Sequence, residues 1–227
     1  MRAAIFLLLL AAGGLIADAR TSLADKRVAL VIGNSDYQHV ARLATPVNDA
    51  AAVGALLERV GFAVQLRNDV TNIGLRRELR EFSQHAHEAD VAVIFYAGHG
   101  IDVGGSNFLI PIDARLAADR DVEDEAISLE RLIDTVGPAR KLRLIILDAG
   151  RQNPFVSMIR RTMPSRPIGQ GLAGINVPSA DTLIAFSARH GTAVSESEGS
   201  PQRLHDRPAP AHRSSRPRSA AGIQPHP

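Results

Sequence analysis

The chain has 227 residues, of which 45% are hydrophobic and only 4% aromatic, and its formal net charge is +2. This length suffices for one α/β domain with a core of mainly aliphatic side chains. The near-neutral charge does not indicate a nucleic-acid binder, because such proteins need a clustered basic face. Cysteine is absent, which excludes disulfides, thiolate metal sites and a cysteine nucleophile.

The first 24 residues have the layout of a secretory signal peptide. Arg2 supplies a positive start, residues 3–16 form an apolar run, and small-residue cleavage patterns follow at 17–19 and 22–24. The alternative is an uncleaved membrane anchor, although the run is shorter than the roughly 20 residues that a membrane span needs. We therefore expect a periplasmic or secreted protein that is not bound to the membrane after cleavage.

Short apolar runs alternate with amphipathic stretches along the rest of the chain. Continuous runs of this length are typical of strands buried on both faces of a parallel sheet, and apolar spacing of three and four is typical of helices. The predicted elements, in chain order, are strand 28–32, helix 46–60, strand 62–66, helix 73–87, strand 91–96, a short apolar piece at 107–110, helix 129–136, strand 142–147 and strand 182–186. This alternation predicts an α/β fold with a mostly parallel sheet and helices on both faces.

Polar and glycine-rich residues follow three of the predicted strands. They are Asn34, the triplet Gly98-His99-Gly100, and the triplet Asp148-Ala149-Gly150. Ligands of parallel sheets bind beyond the carboxyl ends of the strands, so this edge is the predicted functional edge.

The end of the chain has a different composition. We predict one domain over residues 25–191, followed at 192–227 by a tail rich in Pro, Arg and Ser. Such a composition buries too little apolar surface to offset the entropy of ordering, so we expect the tail to be disordered.

The spacing of His99 and Gly150 matches a pattern known from cysteine peptidases. In caspases the histidine lies about 50 residues before the cysteine of a Gln-Ala-Cys-x-Gly stretch, and here His99 lies about that far before Asp148-Ala149-Gly150. A right-handed crossover between the two preceding strands would place them side by side or nearly so. His99 would then face the position that Gly150 occupies.

Several motifs in order resemble one family. The chain is similar, from about residue 26 to 191, to the bacterial caspase-like peptidases of the caspase and metacaspase group, peptidase family C14. The stretches that carry the resemblance are residues 29–34 with Tyr37, 48–50, 95–100, 109–114, 147–155 and 183–188.

This resemblance implies a caspase-type fold and peptide hydrolysis by a histidine–cysteine dyad. His99 matches the dyad histidine, and Asp148 matches an acid that helps bind a basic P1 side chain in metacaspase-like members. Gly150 stands at the cysteine position, where it leaves the nucleophile position vacant, and the C-terminal part departs from the family pattern as if truncated or altered.

The leading hypothesis is therefore a pseudo-peptidase that binds a peptide or protein in its cleft without cutting it. The sequence leaves two alternatives open. One is an active endopeptidase for basic P1 residues if position 150 were cysteine, and the other is a decayed fragment without function. Ser157 and Ser187 are the nearest serines, and we expect neither to replace the nucleophile. The sequence does not indicate an oligomeric state.

Other candidate sites are weak. We expect no cofactor, although the resemblance allows a weak calcium dependence, and the acidic residues 121–125 read most simply as a solvated loop. Residues 169–174 match a dinucleotide fingerprint on paper, but no predicted strand precedes them. His85 and His87 are two apart on a predicted helix, so they do not share a face.

Overall fold

The computed structural model describes residues 25–149, 153–162, 166–169, 171–175 and 180–187. The predicted signal peptide, Gly150 and the predicted tail all lie outside the described residues. The fold and the site are therefore built from the part of the chain that begins at Asp25 and ends at Ser187.

Five parallel strands form the central sheet, in the spatial order β2-β1-β3-β7-β9. The predicted parallel sheet is thus confirmed, and each strand bound lies within two residues of its prediction. The strands are β1 (Arg27–Gly33), β2 (Ala63–Asn68), β3 (Val91–Ala97), β7 (Leu142–Asp148) and β9 (Thr182–Phe186).

Helices cover both faces of this sheet. The helices are α1 (Pro46–Arg59), α2 (Asn72–His87), α3 (Val122–Glu125), α4 (Leu129–Val136) and α5 (Phe155–Met158), with a 3-10 turn at Asp119–Asp121. Proline in the first turn suits the start of α1 because its missing N–H would have no partner there. The side chains of Thr71 and Ser128 cap α2 and α4 by accepting backbone N–H groups.

The alternation of side chains along the central strands explains the two cores. Leu30 and Ile94 point to the face that α2 and α4 cover, whereas Val31 and Val93 point to the face that α1 covers. Both faces are buried, so residues 28–32 of β1 and all of β3 are apolar or aromatic, as the continuous runs in the sequence predicted.

A second, smaller sheet was not predicted. Its strands are β4 (Gly100–Val103), β5 (Ser106–Leu109), β6 (Ile127–Ser128) and β8 (Ile168–Gly169), in the antiparallel order β6-β5-β4-β8. The predicted apolar piece at 107–110 covers most of β5. The others are too short to produce a run of apolar residues, and β4 begins directly after His99.

Two further expectations can be compared with the structure. The acidic stretch 121–125 was predicted as a solvated loop, but most of it forms α3, with Val122 buried beneath it. The fingerprint-like stretch begins at Gly169, the last residue of β8, and residues 171–175 are not helical, so they provide no helix start to cradle a phosphate. Every helix among the described residues is too short or too polar to cross a membrane.

Candidate functional site

The carboxyl ends of β3 and β7 lie side by side. In the parallel register, Ala97 at the end of β3 stands opposite Asp148 at the end of β7. The Gly98 N–H donates a hydrogen bond of 3.2 Å to the Asp148 carbonyl oxygen, which extends the pairing past both strands. The sheet therefore brings the chain around His99 next to the chain that leads into position 150.

His99 is buried, with 2% of its surface exposed. Its backbone N–H donates to the Tyr37 hydroxyl at 2.7 Å, and its carbonyl oxygen accepts from the Tyr96 hydroxyl at 2.9 Å and from the Ile110 N–H at 3.0 Å. The imidazole lies between two aromatic rings, 4.7 Å from the Tyr37 ring and 5.9 Å from the Phe155 ring, measured between centroids. The histidine is thus held through both its backbone and its ring.

The close packing around Gly98 explains why a glycine precedes His99. A Cβ atom built on Gly98 would lie 2.7 Å from the hydroxyl oxygens of both Tyr37 and Tyr96. No real Cβ contact is that short, so any larger residue would push the two tyrosines away from the His99 backbone. The glycine makes room for the hydroxyls that hold the next residue.

Both tyrosines stay protonated over a wide pH range. Burial raises the pKa of Tyr37 to about 12 and raises the pKa of Tyr96 well above its ordinary value. Their hydroxyls can therefore act as neutral donors and acceptors. The single hydrogen of the Tyr96 hydroxyl is shared between the His99 and Ile110 carbonyl oxygens, 2.9 Å from each, and the Ile110 oxygen also accepts from Tyr37 at 3.2 Å and from the Asn34 side-chain amide at 3.4 Å.

The β7 side of the site carries fewer side-chain contacts. Asp148 is half-buried and Ala149 is buried, and Gly150, the predicted nucleophile position, lies outside the described residues. The chain is described again from Asn153, whose side-chain amide donates to the Gly100 carbonyl oxygen at 2.8 Å and whose side-chain oxygen accepts the Phe155 N–H at 3.0 Å. Asp148 and Asn153, which lie on either side of position 150 in the sequence, therefore both bond the β3 side.

A later segment packs beside the site. Residues of β8 pair with β4, and Asn107 exchanges two hydrogen bonds with the backbone of Ala173, at 2.8 and 2.6 Å. Leu172 is buried, and one of its methyl carbons lies 2.9 Å from where a Cβ of Gly100 would stand. A larger residue at position 100 would therefore require the Leu172 side chain to move.

The acidic stretch does not gather its carboxylates at one point. Asp121 accepts the Ala118 N–H, Glu123 pairs with Arg166 at 2.9 Å, and Glu125 accepts the N–H groups of Arg115 and Leu116. Within the part of the chain that the structure describes, no group of three His, Cys, Asp or Glu residues could hold a metal ion.

Buried Asp119, just before that stretch, anchors the chain downstream of α5. Its carboxylate accepts the Thr162 N–H at 3.0 Å to each oxygen and also bonds the Thr162 hydroxyl. Asp119 therefore holds the chain at Thr162. The two residues are 43 positions apart in the sequence, so spacing alone does not indicate this contact.

The two candidate serines lie in different places. Ser157 is exposed in α5, and its hydroxyl donates to the Pro154 carbonyl oxygen one turn back. Ser187 follows β9, and its N–H donates to the Leu147 carbonyl oxygen, so it lies at the functional edge with β7 between it and β3.

A groove of about 570 Å³ between α4 and the starts of β7 and β9 lies at the opposite end of the strands.

Comparison with known proteins agrees with this arrangement. Residues 26–202 match the family described as the caspase domain. The chain belongs to the caspase domain family. Human mucosa-associated lymphoid tissue lymphoma translocation protein 1 is 34% identical over 92 residues, which are 40% of this chain and 11% of that protein. Caspase-1 of Rattus norvegicus is 29% identical over 80 residues, which are 34% of this chain and 20% of that protein.

The matched stretches thus span only a tenth to a fifth of those relatives. Among solved structures, the Drosophila initiator caspase Dronc aligns with a TM-score of 0.48 and 15% identity, covering 74% of this chain and 61% of that chain. The sheet order and helix placement described above establish the α/β fold of this caspase domain without that alignment.

Sequence reasoning found the two strand ends of this caspase domain but not the residues that support them. Tyr37 and Asn153 belong to the stretches that carry the family resemblance. Nothing in their spacing indicates that Tyr37 contacts His99 or that Asn153 contacts Gly100. Asn107 is a polar residue in an apolar piece, and that is the one sequence signal that could have marked it as a buried anchor.

Proposed function

We propose that this caspase-domain protein is a secreted pseudo-peptidase of bacterial type, which binds a peptide or protein segment at the carboxyl edge of its sheet without cleaving it. The proposal depends on one observation above all. The end of β7 lies beside the end of β3, which leads into His99. The residue that follows Ala149 after β7 is a glycine, and the sequence contains no cysteine.

The chemistry follows from that observation. A cysteine peptidase needs a thiolate to form its covalent intermediate, and a histidine alone cannot supply one. Removing the nucleophile of a catalytic unit typically reduces turnover by on the order of 10⁴-fold or more. We therefore propose that His99 and the surrounding cleft are retained for binding, while Gly150 leaves the nucleophile position vacant.

Two features bear on the ligand. Half-buried Asp148 at the end of β7 offers a carboxylate for a basic side chain, so we propose a ligand with Arg or Lys at the P1 position. His99 is almost completely covered, so a ligand reaches the imidazole only when a neighbouring segment moves. We also propose export, on the strength of Arg2 and the apolar run that follows it.

The test is to restore the missing group. The native chain, the Gly150→Cys variant and the Gly150→Cys, His99→Ala double variant are assayed with fluorogenic peptides that carry Arg or Lys at P1. We expect no cleavage by the native chain, cleavage by Gly150→Cys, and its loss in the double variant. Fluorescence anisotropy with the same peptides should show that the native chain binds them.

Each other outcome favours an alternative. His99-dependent cleavage by the native chain would show an active enzyme and refute the proposal. A folded Gly150→Cys variant without activity would show that the two strand ends do not form a dyad. A native chain that cannot be recovered in soluble form would favour a decayed fragment.

The role of Asp148 has its own control. In the Gly150→Cys background, Asp148→Asn should reduce kcat/KM for peptides with Arg at P1 by about tenfold, because a desolvated charge pair loses one partner. Peptides with Gln at P1 should be affected much less. Asp134→Asn, at the opposite end of the strands, serves as the matched charge removal and should leave both rates unchanged.

A further inference from the structure

The sequence contains two tyrosines, and both are buried beside His99. Tyr96 belongs to β3 and Tyr37 to the loop after β1. The Tyr37 hydroxyl accepts the His99 N–H at 2.7 Å, and the Tyr96 hydroxyl lies 2.9 Å from the His99 carbonyl oxygen. Each tyrosine thus bonds one polar group of the His99 backbone.

Tyr37 also packs its ring against the imidazole. The Tyr37 ring centroid lies 4.7 Å from that of His99, with an angle of 54° between the ring planes. The Phe155 ring lies on the other side of the imidazole, with 5.9 Å between the ring centroids and 84° between the ring planes. It also packs edge-on against the Tyr37 ring, with the centroids 6.3 Å apart. Tyr37 therefore contacts both the backbone and the side chain of the histidine.

The loop that carries Tyr37 is itself held in place. The Asp69 carboxylate accepts the N–H groups of Ser35 and Asp36 at 2.7 and 2.8 Å, and the Gln38 N–H donates to the Ile112 carbonyl oxygen at 2.8 Å. Asp69 adopts a left-handed backbone conformation, with φ of 51°, which aspartate tolerates better than most residues. These bonds fix the backbone on both sides of Tyr37.

The two hydroxyls differ in how far their loss is compensated. Without the Tyr96 hydroxyl, the His99 carbonyl oxygen still accepts the Ile110 N–H, and the Ile110 carbonyl oxygen still accepts from Tyr37. Without the Tyr37 hydroxyl, the His99 N–H loses the acceptor at 2.7 Å. Tyr37→Phe and Tyr96→Phe each remove one hydroxyl from the same cluster, but we expect Tyr37→Phe to disturb His99 more.

We propose that Tyr37 is the positioning residue of His99: its hydroxyl anchors the histidine backbone and its ring sets the orientation of the imidazole. This inference rests on the proposed function in taking His99 as the histidine of the site. Tyr96 supports the same backbone but leaves the imidazole orientation to Tyr37. The neutral form of Tyr37, favoured by its burial, keeps its oxygen free to accept and its proton available to the Ile110 carbonyl oxygen.

The first test uses the fact that the sequence has two tyrosines. The full chain is produced with 3-fluorotyrosine, so that fluorine NMR reports Tyr37 and Tyr96 as separate signals, assigned with the two Tyr→Phe variants. Replacing His99 by alanine should shift the Tyr37 signal several times more than the Tyr96 signal.

The second test measures catalysis in the Gly150→Cys background. Adding Tyr37→Phe should lower kcat by about tenfold or more with little change in KM, because a misplaced catalytic group costs rate rather than binding. Adding Tyr96→Phe should cost at most about threefold, since its hydrogen bonds have substitutes. A purely structural role predicts equal losses for these two buried tyrosines.

The two readouts separate the two proposals. Equal fluorine shifts at Tyr37 and Tyr96, or equal losses of kcat in the two Tyr→Phe variants, would overturn the positioning role. If Gly150→Cys shows no cleavage, the proposed function fails while the fluorine measurement still decides on Tyr37. If Tyr37→Phe does not fold, the Tyr96→Phe variant still assigns the signals, and the His99→Ala comparison leaves both tyrosines in place.

Discussion

The carboxyl ends of β3 and β7 are neighbours in the sheet, yet they are built differently. At the β3 end, the backbone from Ala97 to Gly100 is bonded by Asn34, Tyr37, Tyr96 and Asn153. At the β7 end, Asp148 is half-buried and the sequence continues through Ala149 into a glycine. The histidine side is thus held by hydrogen bonds from residues of three different segments of the fold.

A substitution at the β3 end disturbs a buried cluster of hydrogen bonds, so we expect it to destabilise the fold more than a substitution in the described chain after β7. The predictions below test that contrast, beginning with the change that acts on the whole β3 cluster.

Alkaline pH should have the largest effect, because it acts on both tyrosines at once. The pKa of Tyr37 is raised by burial from 10.0 to about 12, and that of Tyr96 is raised as well. Above pH 10 the unfolded chain binds fewer protons than the folded chain, so the stabilisation is complete below pH 10 and is lost as the pH rises through the folded pKa.

Urea unfolding followed from neutral pH to pH about 12 should show this loss, with tyrosinate absorbance appearing only as the chain unfolds. The Tyr37→Phe variant should lose less stability over the same range. Tyrosinate that forms near pH 10 in a chain that stays folded would contradict the buried cluster.

Gly98→Ala should be the most damaging single substitution at the β3 end. The added methyl would stand 2.7 Å from both tyrosine hydroxyls, and we expect the free energy of unfolding to fall by about 2–3 kcal/mol. The matched control is Gly105→Ala, where φ is +86° but nothing lies within 4 Å of the new methyl. That variant should lose only about 1 kcal/mol through its backbone conformation, and equal losses in denaturant unfolding would argue against the close approach.

Asp119→Ala tests the chain that follows the β7 end. The substitution removes the acceptor for the Thr162 N–H and hydroxyl, so we expect a loss of about 2 kcal/mol. Amide exchange at Thr162 should accelerate before exchange at His99 does. Asp124→Ala, an exposed carboxylate in α3, should change the free energy of unfolding by less than about 0.5 kcal/mol.

Asn153→Ala should have the smallest effect of the four. It removes one hydrogen bond to the Gly100 carbonyl oxygen and one from the Phe155 N–H, both partly buried, and we expect a loss of about 1 kcal/mol. Ser157→Ala, at an exposed position in the short helix that follows Asn153, is the control. If the two variants are equally stable in urea, Asn153 does not tie the β7 side to β3.

Much of the fold could be predicted from the sequence because its physical signals are local. A strand buried on both faces has a continuous apolar run, so the runs that form the middle of β1, β3 and β7 were visible. The helix predicted at 46–60 ends one residue earlier, at Arg59. The small sheet was missed because strands of two to four residues carry no period, and their pairing depends on residues far apart in the sequence.

The candidate site, like the fold, has some features that local sequence signals predicted and others that they did not. His99 and Asp148 could be placed at one edge because polar residues after consecutive parallel strands meet there. The acidic stretch was wrongly predicted to be a loop, because the charged residues hid the short helix that Val122 anchors in the core.

The sequence by itself determined the order of the five central strands and the three longer helices, the edge where the candidate site lies, and the presence of glycine with no cysteine at position 150. These are properties of single residues and of local periodicity. Only the tertiary structure decided that Tyr37 lies against His99, that Asn153 reaches Gly100 and that Asp119 holds Thr162. Such contacts join residues from 43 to 62 positions apart, and their energy depends on burial and geometry that exist only once the chain has folded.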